Sequence, residues 1–427
     1  MTDLDALAPP LTGSLDREAR AALAALEGEA RIELDRICDW WATHAPAPTG
    51  GFWGEISEDG IAYPEAPRAI ILNARLLWFF SAAYEATGHE ACGRLADQAY
   101  KVLIDHFLDP DTNTLVWMVS ADHAVLNARK QTYAQAFGIY ALAAYARARH
   151  DLAALERALD IFDQVQAHFL DPVHGGWIEA LGPDLEPIED VRLSARDQNS
   201  PKSMNTHLHV LEAFSGLHDA LQQLDPHHVK GTAVRAALDM AFEIFNRHVV
   251  SPSRDTLGLF FELDWTRQSA VRSYGHDIEA SWLLYEAGLS LATPARLAEA
   301  KETCLGLATG ALTGLSEFGG LYEELGPDGH VSRLHVWWIQ AEALVGFINA
   351  FTLTHNPLFL QSARGVWDFI KDHQIDTQGG EWRELARLDD QSGKSGLMAG
   401  PWKCPYHTGR AMIETIRLCQ SLRATWS

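Results

Sequence analysis

The sequence predicts an all-α protein, an α/α toroid (barrel) of six helical hairpins with short β-turn strands between the repeats. Two observations predict it. A short motif of glycine, any residue, an aromatic residue, any residue and glutamate recurs along the 427 residues. The segments between its copies carry apolar residues at helical spacing, enough for two helices each. Since a lone hairpin cannot bury its apolar face, similar hairpins in series are expected to stack on one another.

The motif marks the repeats. Complete copies occupy residues 51–55, 175–179, 258–262, 320–324 and 380–384, and a degenerate copy at 115–119 keeps only its tryptophan. The aromatic positions 53, 117, 177, 260, 322 and 382 are therefore separated by 64, 60, 83, 62 and 60 residues. A polar insertion at 182–200 accounts for the long interval. We expect one catalytic domain over residues 1–427, with 1–25 as an N-terminal extension.

The helical segments have apolar residues on more than one face, as in helices packed on both sides. One such series is Leu72, Leu76, Phe79, Phe80 and Ala83. Six hairpins of this kind can close into a ring of inner and outer helices. An open superhelix of the same hairpins is the alternative, because the pattern alone does not show closure.

The composition limits the classes of molecule that the protein is expected to bind. Lys and Arg number 34 against 57 Asp and Glu, a net charge of −23, which disfavours nucleic acid and anionic membrane surfaces. The most apolar stretch, 69–83, is interrupted by Asn73 and Arg75, so no membrane span is expected. Five scattered cysteines and an acidic start without signal-peptide features favour a reducing, cytoplasmic location. A small neutral partner is expected, and the protein could be a monomer or a homodimer.

The repeat also predicts a site. Tyr133, His276 and Trp338 each lie 16 residues after the aromatic residue of a motif copy. Equal offsets place these side chains at equivalent ends of successive helices. In a closed ring those ends surround one central cavity.

Several polar residues near these helix ends could carry chemistry. His276 and Glu279 stand three apart on one helical face, where the carboxylate could fix the imidazole tautomer. The plainer interpretation is a surface polar pair at a helix start. Residues 400–410, rich in proline, glycine and aromatics, present His407 near the final helix, or simply pack as an ordered loop.

Residues 202–209 follow the polar insertion and begin another helix. Asn205 and His209 share a face, whereas His207 points away. Two close histidines raise the question of a metal, but no HExxH motif or clustered Cys or Asp supports it, so no metal is predicted. Arg75, within an apolar helix, requires a partner or an anionic ligand.

Four segments together resemble the cellobiose 2-epimerase branch of the N-acylglucosamine 2-epimerase superfamily. They are residues 202–209, 273–279, 337–342 and 400–407. The resemblance extends from about residue 31 to residue 418. It implies a six-hairpin α/α barrel that needs no metal or nucleotide cofactor for catalysis.

The resemblance also implies residue roles. His276 and His407 match a pair of general acid/base catalysts that invert C2 of an aldose through an enediolate, although one histidine could act twice if the substrate rotates about C2–C3. His209 matches a group that supports the enediolate and helps open the sugar ring. The remaining matches support the intermediate, orient the histidines or stack on sugar rings: Arg75, Tyr133, Asn205, Glu279, Glu342, Trp338 and Trp402.

The substrate stays open between two classes. Relatives of this kind act on β-1,4-linked disaccharides such as cellobiose, or on free mannose and glucose as mannose 2-epimerases or mannose isomerases. Trp402, at the position of a second-ring platform, favours disaccharides, but loops 182–200 and 262–272 would decide. Other possibilities are an α/α-barrel glycoside hydrolase, a non-catalytic sugar-binding protein and, more weakly, a metal-dependent isomerase.

Overall fold

The computed structural model describes residues 13–377, 379–388 and 396–425, and twelve α-helices lie within them. The helices are α1 Gly13–His44, α2 Ile70–Thr87, α3 Glu90–Val102, α4 Thr132–Arg149, α5 Leu152–Gln164, α6 Met204–Leu224, α7 Gly231–Ile244, α8 Tyr274–Leu291, α9 Pro294–Ala311, α10 Trp337–Thr354, α11 Pro357–Phe369 and α12 Pro405–Thr425.

The even-numbered helices form a closed inner ring. Each packs on the next in chain order, and α12 packs on α2 to complete the circle. The odd-numbered helices lie outside, each against an inner partner, and α1 pairs with α12. The sixth hairpin is therefore assembled from the two ends of the described chain. The predicted toroid is confirmed, and the open superhelix is wrong.

Inner and outer helices differ in how much of their surface is buried. Inner helix α2 buries 13 of its 18 residues on all sides, whereas its outer partner α3 buries 6 of 13 along one stripe. Helix α1 begins at Gly13, so residues 13–25 of the predicted N-terminal extension belong to it, and Leu23 is fully buried. Residues 1–12 lie outside the described residues.

Short antiparallel strands connect neighbouring hairpins. They are β1 Ile56–Ser57, β2 Arg68–Ala69, β3 Leu108–Asp109, β4 Thr114–Leu115, β5 Met118–Val119, β6 Val125–Asn127, β7 Lys130–Gln131, β8 Ala180–Leu181, β9 Lys202–Ser203, β10 Phe260–Phe261, β11 Arg272–Ser273, β12 Glu324–Leu325, β13 Val331–Ser332 and β14 Leu397–Ala399. Strands β2, β7, β9 and β11 immediately precede inner helices and pair with β5, β8, β10 and β12 of the next repeat. This pairing holds the inner helix N-termini at one end of the ring.

The structural repeat is a backbone bridge after each outer helix. The six bridges are Pro46–Phe52, Leu108–Leu115, Leu170–Trp177, Val250–Leu257, Leu315–Leu321 and Ile375–Trp382. Trp177 and Trp382 of the sequence motif coincide with bridge residues, whereas Phe260 lies three residues beyond Leu257. The motif thus identified the repeats, but its register is shifted in some copies.

None of the helices in the described part of the chain is long and apolar enough to cross a bilayer. All five cysteines, which the described residues include, are buried free thiols.

Candidate active site

A cavity of about 460 Å³ opens at the inner helix N-termini. Nine of the ten predicted site residues line it, and the tenth, Glu342, lies directly behind the wall. The nine are Arg75, Tyr133, Asn205, His209, His276, Glu279, Trp338, Trp402 and His407. The repeat offset therefore predicted the correct end of the ring, because equivalent helix starts converge there.

One helical position supplies the floor of the cavity. It is the sixth residue of each inner helix, and three of these six residues line the cavity. In chain order these residues are Arg75, Phe137, His209, Glu279, Glu342 and Arg410. Five of the six are polar or charged, so the ring encloses a buried charged layer. The second and third residues of the same helices lie one turn nearer the opening.

His407 is backed by carboxylates. Its Nδ1 lies 2.7 Å from Glu342 Oε1 and 3.9 Å from Glu279 Oε1. The indole Nε1 of Trp282 donates to the other oxygen of Glu342 at 2.9 Å. A carboxylate partner requires a proton on Nδ1, so Nε2 is the nitrogen left for the cavity.

His276 has a different partner from the one predicted. Its Nδ1 lies 2.8 Å from the hydroxyl of Ser273, and Glu279 does not orient it. The carboxyl group of Glu279 instead accepts from Arg410 Nη2 through Oε1 at 2.7 Å. The three-residue spacing correctly predicts one shared face, but the buried guanidinium competes for the acid. His276 is half-buried, whereas His407 is buried.

The two histidines at the start of helix α6, His207 and His209, separate as expected. His209 Nδ1 bonds Glu212 at 2.8 Å. His207 points into the wall, where Nδ1 donates to the Ser203 carbonyl at 2.7 Å and Nε2 accepts from the Trp177 amide at 2.9 Å. Because both ring nitrogens of His207 are used by the backbone, it is a structural residue.

Sequence reasoning missed Arg410 and Glu212. Arg410 Nη2 contacts Glu279 at 2.7 Å and Glu342 at 2.6 Å, and Nη1 donates to Glu212. The phenol of Tyr406 also donates to Glu212 at 2.6 Å. Two three-residue spacings, His209 with Glu212 and His407 with Arg410, were the available signal, since such pairs share a helical face.

A second group faces the cavity from helices α2 and α4. Arg75 Nη2 donates to the Tyr133 hydroxyl at 2.8 Å, and Nη1 reaches the Trp402 carbonyl at 3.5 Å. The guanidinium also lies 4.4 Å from the Phe137 ring centre and 4.7 Å from that of Tyr406. The buried arginine therefore has partners of the protein's own, and it borders the cavity.

The two predicted tryptophans lie at different places. The ring centre of Trp338 is 4.8 Å from that of His276 and 5.6 Å from that of His407. Trp402 lies 5.9 Å from Tyr133 and 6.2 Å from Trp117. Trp338 thus packs against both histidines. Trp402 forms a separate aromatic wall with Tyr133 and Trp117.

The polar insertion at 182–200 forms part of the wall. Leu193, Ser194, Arg196 and Asp197 line the main cavity and also an adjoining pocket of about 230 Å³. Arg129 Nη2 donates to the Arg192 carbonyl at 2.8 Å and holds the loop. The sequence did not predict where this loop lies.

Burial sets the charges of the histidines. Burial, aided by His209, lowers the pKa of His276 to about 3. Burial also lowers the pKa of His407 well below its ordinary value, and Arg75 and Arg410 act in the same direction. Both imidazoles are therefore neutral at pH 7, as bases must be.

The acids differ in charge. Burial and the neighbouring Glu342 raise the pKa of Glu279 to about 8, so Glu279 is protonated at pH 7. Burial also raises the pKa of Glu342. For Glu212, burial opposes ionisation, but Arg410 and His209 outweigh it and lower the pKa to about 2. At pH 7 Glu279 is thus a carboxylic acid that lines the cavity, and Glu212 is a carboxylate behind His209.

Among the described residues, Glu279, Glu342 and His407 bring three potential ligand atoms within 4.8 Å of one another. Arg410 Nη2 already lies within hydrogen-bond distance of both carboxylates. A divalent ion there would meet a fixed cation at close range, so the donor set does not fit a metal.

Comparison with known proteins agrees with this geometry. The N-acylglucosamine 2-epimerase (GlcNAc 2-epimerase) family model matches residues 51–411. A cellobiose 2-epimerase of Bacteroides fragilis is 37% identical over 394 residues, 92% of this chain and 98% of the relative. The cellobiose 2-epimerase structure from Bacillus thermoamylovorans B4167 superposes with a TM-score of 0.86 at 31% identity, covering 92% of this chain and 99% of its own.

A D-mannose isomerase structure superposes with a TM-score of 0.78 at 20% identity, covering 92% of this chain and 98% of its own, and shares the fold. The family model begins before α2, covers the inner helices through α10 and ends within the first two turns of α12. The chain belongs to the N-acylglucosamine 2-epimerase family of carbohydrate epimerases.

Proposed function

We propose that the protein is an aldose 2-epimerase that inverts C2 at the reducing-end glucose or mannose of β-1,4-linked disaccharides, converting cellobiose to glucosyl-mannose and back. The observation that carries this proposal is the pair of neutral histidines, His276 and His407, which both pack against Trp338 and line one cavity. Inversion at a carbon beside a carbonyl needs a proton removed from one face and returned to the other. Two ring nitrogens facing the same space supply both positions.

The reaction begins with ring opening, which exposes the C1 aldehyde and makes the C2 proton acidic. One histidine removes this proton, and the electrons form an enediolate between C1 and C2. The other histidine, after taking up a proton from solvent at Nε2, returns a proton to the opposite face at C2 and gives the epimer. The first histidine then releases its proton to solvent. A positioned acid/base group contributes about 10²–10⁴-fold to such a step.

The negative charge on the enediolate oxygens requires donors that are already in place. Arg75, Tyr133 and the protonated carboxyl of Glu279 border the cavity and can donate to these oxygens. Asn205 lies beside His276 on the neighbouring helix start and adds an amide donor. The donors are held by the protein before substrate arrives, which lowers the cost of forming the intermediate.

His209 is suited to ring opening. It lines the cavity, and its Nδ1 bonds the ionised Glu212. Its Nε2 can therefore accept the anomeric hydroxyl proton of the closed sugar and return a proton to the ring oxygen O5 as the C1–O5 bond breaks. Burial lowers its pKa, which keeps the ring neutral for this task.

Disaccharides are favoured over free monosaccharides by Trp402. Its indole forms a wall with Trp117 and Tyr133, away from the two histidines. A second sugar ring could stack on it while C2 of the first lies near Trp338. The names of the Bacteroides and Bacillus relatives point the same way. The alternative is action on free mannose, the sugar for which the structurally similar D-mannose isomerase is named.

We place the enzyme in the cytoplasm, because its five buried thiols suit a reducing compartment. It is expected to work without metal or nucleotide, and activity should be unchanged by a chelator.

The test is proton NMR of cellobiose and, separately, of mannose with the enzyme in D₂O. Appearance of the C2 epimer with deuterium at C2 is expected, faster with cellobiose. Faster reaction of mannose would assign the enzyme to monosaccharides. Release of free glucose from cellobiose without C2 exchange would contradict the proposal and favour a hydrolase.

A further inference from the structure

We propose that Arg410 is a positioning residue that orients His209 and His407 together, by holding the two carboxylates to which their Nδ1 atoms are bonded. The inference rests on the proposed epimerase function for its kinetic consequences, but its geometric content concerns the protein alone.

A continuous series of polar contacts joins the two histidines. His209 Nδ1 bonds Glu212 at 2.8 Å, and Glu212 accepts from Arg410 Nη1. Arg410 Nη2 bonds Glu342 at 2.6 Å, and Glu342 bonds His407 Nδ1 at 2.7 Å. The series crosses from α6 through α12 to α10. Each of its five residues is at most 5% exposed.

The cation at the centre must be an arginine for geometric reasons. Its two terminal nitrogens point to opposite sides, so one serves Glu212 while the other serves Glu342 and Glu279. The plane of the guanidinium also packs between the rings of Trp282 and Tyr406, at 4.7 and 4.1 Å. A lysine has one nitrogen and no plane, so it cannot reproduce both contacts.

The consequence concerns the tautomer of each histidine. Arg410 opposes the effect of burial on the pKa of Glu342 and helps to lower that of Glu212, which favours the ionised carboxylates. A carboxylate at Nδ1 requires Nδ1–H, and this leaves the Nε2 lone pair for the substrate. If either carboxylate turned away, its histidine could rotate or take the other tautomer, and the base would be lost. Arg410 therefore links the group suited to ring opening with a group suited to proton transfer at C2.

The experiment compares Arg410→Lys with Arg417→Lys. Arg417 is a matched control, because it lies on the same helix and also bonds two carboxylates, Glu286 and Glu414, both at 2.7 Å, but away from the cavity. We expect Arg410→Lys to lower kcat on cellobiose by about 10²-fold with little change in KM, and Arg417→Lys to change neither. Glu342→Gln should lower kcat much less in the Arg410→Lys background than in the wild type, since both substitutions act through His407.

A spectroscopic readout separates positioning from a merely structural role. Long-range ¹H–¹⁵N correlation spectra of histidine-labelled protein report which ring nitrogen carries the proton. The wild type should show His209 and His407 as Nδ1–H tautomers, and Arg410→Lys should disturb both signals while the His207 signal, held by backbone contacts, stays fixed.

Should Arg410→Lys fail to fold, Glu212→Gln removes only the His209 side and nearly preserves side-chain volume. It is expected to disturb the His209 signal and leave that of His407. Unchanged tautomers in these variants, or equal kinetic losses in the two arginine variants, would overturn the inference. A wild type without epimerase activity would overturn the proposed function instead, and the tautomer spectra would still decide the role of Arg410.

Discussion

The two histidines that face the cavity lie in unlike surroundings. His407 is buried and its Nδ1 is backed by the carboxylate of Glu342, which Arg410 and Trp282 hold in place. His276 is half-buried and its Nδ1 meets only the hydroxyl of Ser273. A carboxylate stabilises an imidazolium at its side far better than a hydroxyl does. Glu342 therefore gives a charged partner to the His407 imidazolium that forms during turnover, where His276 has a hydroxyl. Burial, Arg75 and Arg410 keep the substrate-free His407 ring neutral.

The largest effects are expected from the histidines themselves. His276→Ala and His407→Ala should each lower kcat for epimerisation by about 10³–10⁴-fold, because each removes the proton carrier on one face of C2. Kinetic assays with cellobiose measure the loss, and circular dichroism checks the fold. A variant that retains near-normal turnover would remove that histidine from the acid/base pair.

The partners of the histidines should differ in importance. Glu342→Gln is expected to lower kcat by about 10²-fold, whereas Ser273→Ala should cost about tenfold or less, because a hydroxyl orients a ring but supplies no charge. Ser273 makes no side-chain cap to helix α8, so its replacement spares that helix. Equal losses in the two variants would show that the difference in surroundings has no catalytic meaning.

The raised pKa of Glu279 predicts how activity changes at alkaline pH. The pKa of Glu279 is raised to about 8 by burial and by Glu342, so its proton is present below pH 8 and lost above. If the protonated carboxyl donates to the enediolate, kcat/KM should fall about tenfold per unit above pH 8. Glu279→Gln should remove this alkaline limb from the activity that remains. A limb unchanged in that variant would assign it to another group.

The acid side of the profile follows from the histidines. Because the pKa of His276 is lowered to about 3, its neutral form persists well below the ordinary histidine range. We expect no loss of kcat/KM near pH 6.5, measured with brief exposures to acid. A limb at that pH would contradict the prediction and show that one of the cavity histidines, His209, His276 or His407, titrates normally before substrate binds.

The smallest effect separates the two tryptophans. Trp402→Ala should raise KM for cellobiose about tenfold and change mannose kinetics little, because only the second ring would contact it. Trp338→Ala should impair both sugars, since Trp338 packs against both histidines. Equal losses on both sugars in Trp402→Ala would contradict a second-ring role for this residue.

Much of the fold was accessible from the sequence because it repeats. The motif and the helical spacing predicted six hairpins, and the offset of 16 residues placed Tyr133, His276 and Trp338 at one end. Closure was not readable, since it depends on α12 meeting α2 and α1, contacts between the two ends of the chain. The aromatic residue of the motif lies up to three residues beyond the second residue of the bridge. The backbone bridge, and not the aromatic ring, is the constant element of each repeat in this structure.

The sequence predicted most of the residues that form the site, but it did not predict all the contacts between them. Helical spacing suggested Glu279 as the partner of His276, yet Arg410 from another helix takes that carboxylate. Glu212 and Arg410 were missed for the same reason, since their importance lies in contacts nearly 200 residues apart in the chain. Local spacing shows which residues share a face; it does not show which neighbour across a ring competes for them.

The central claim is that His276 and His407 act on opposite faces of C2. The direct test follows deuterium uptake from D₂O at C2 by NMR, with His276→Ala and His407→Ala, starting separately from cellobiose and from glucosyl-mannose. Each variant should interconvert no epimers yet still exchange C2 of one sugar, and the two variants should exchange different sugars. Exchange of the same sugar by both variants would contradict the two-face account.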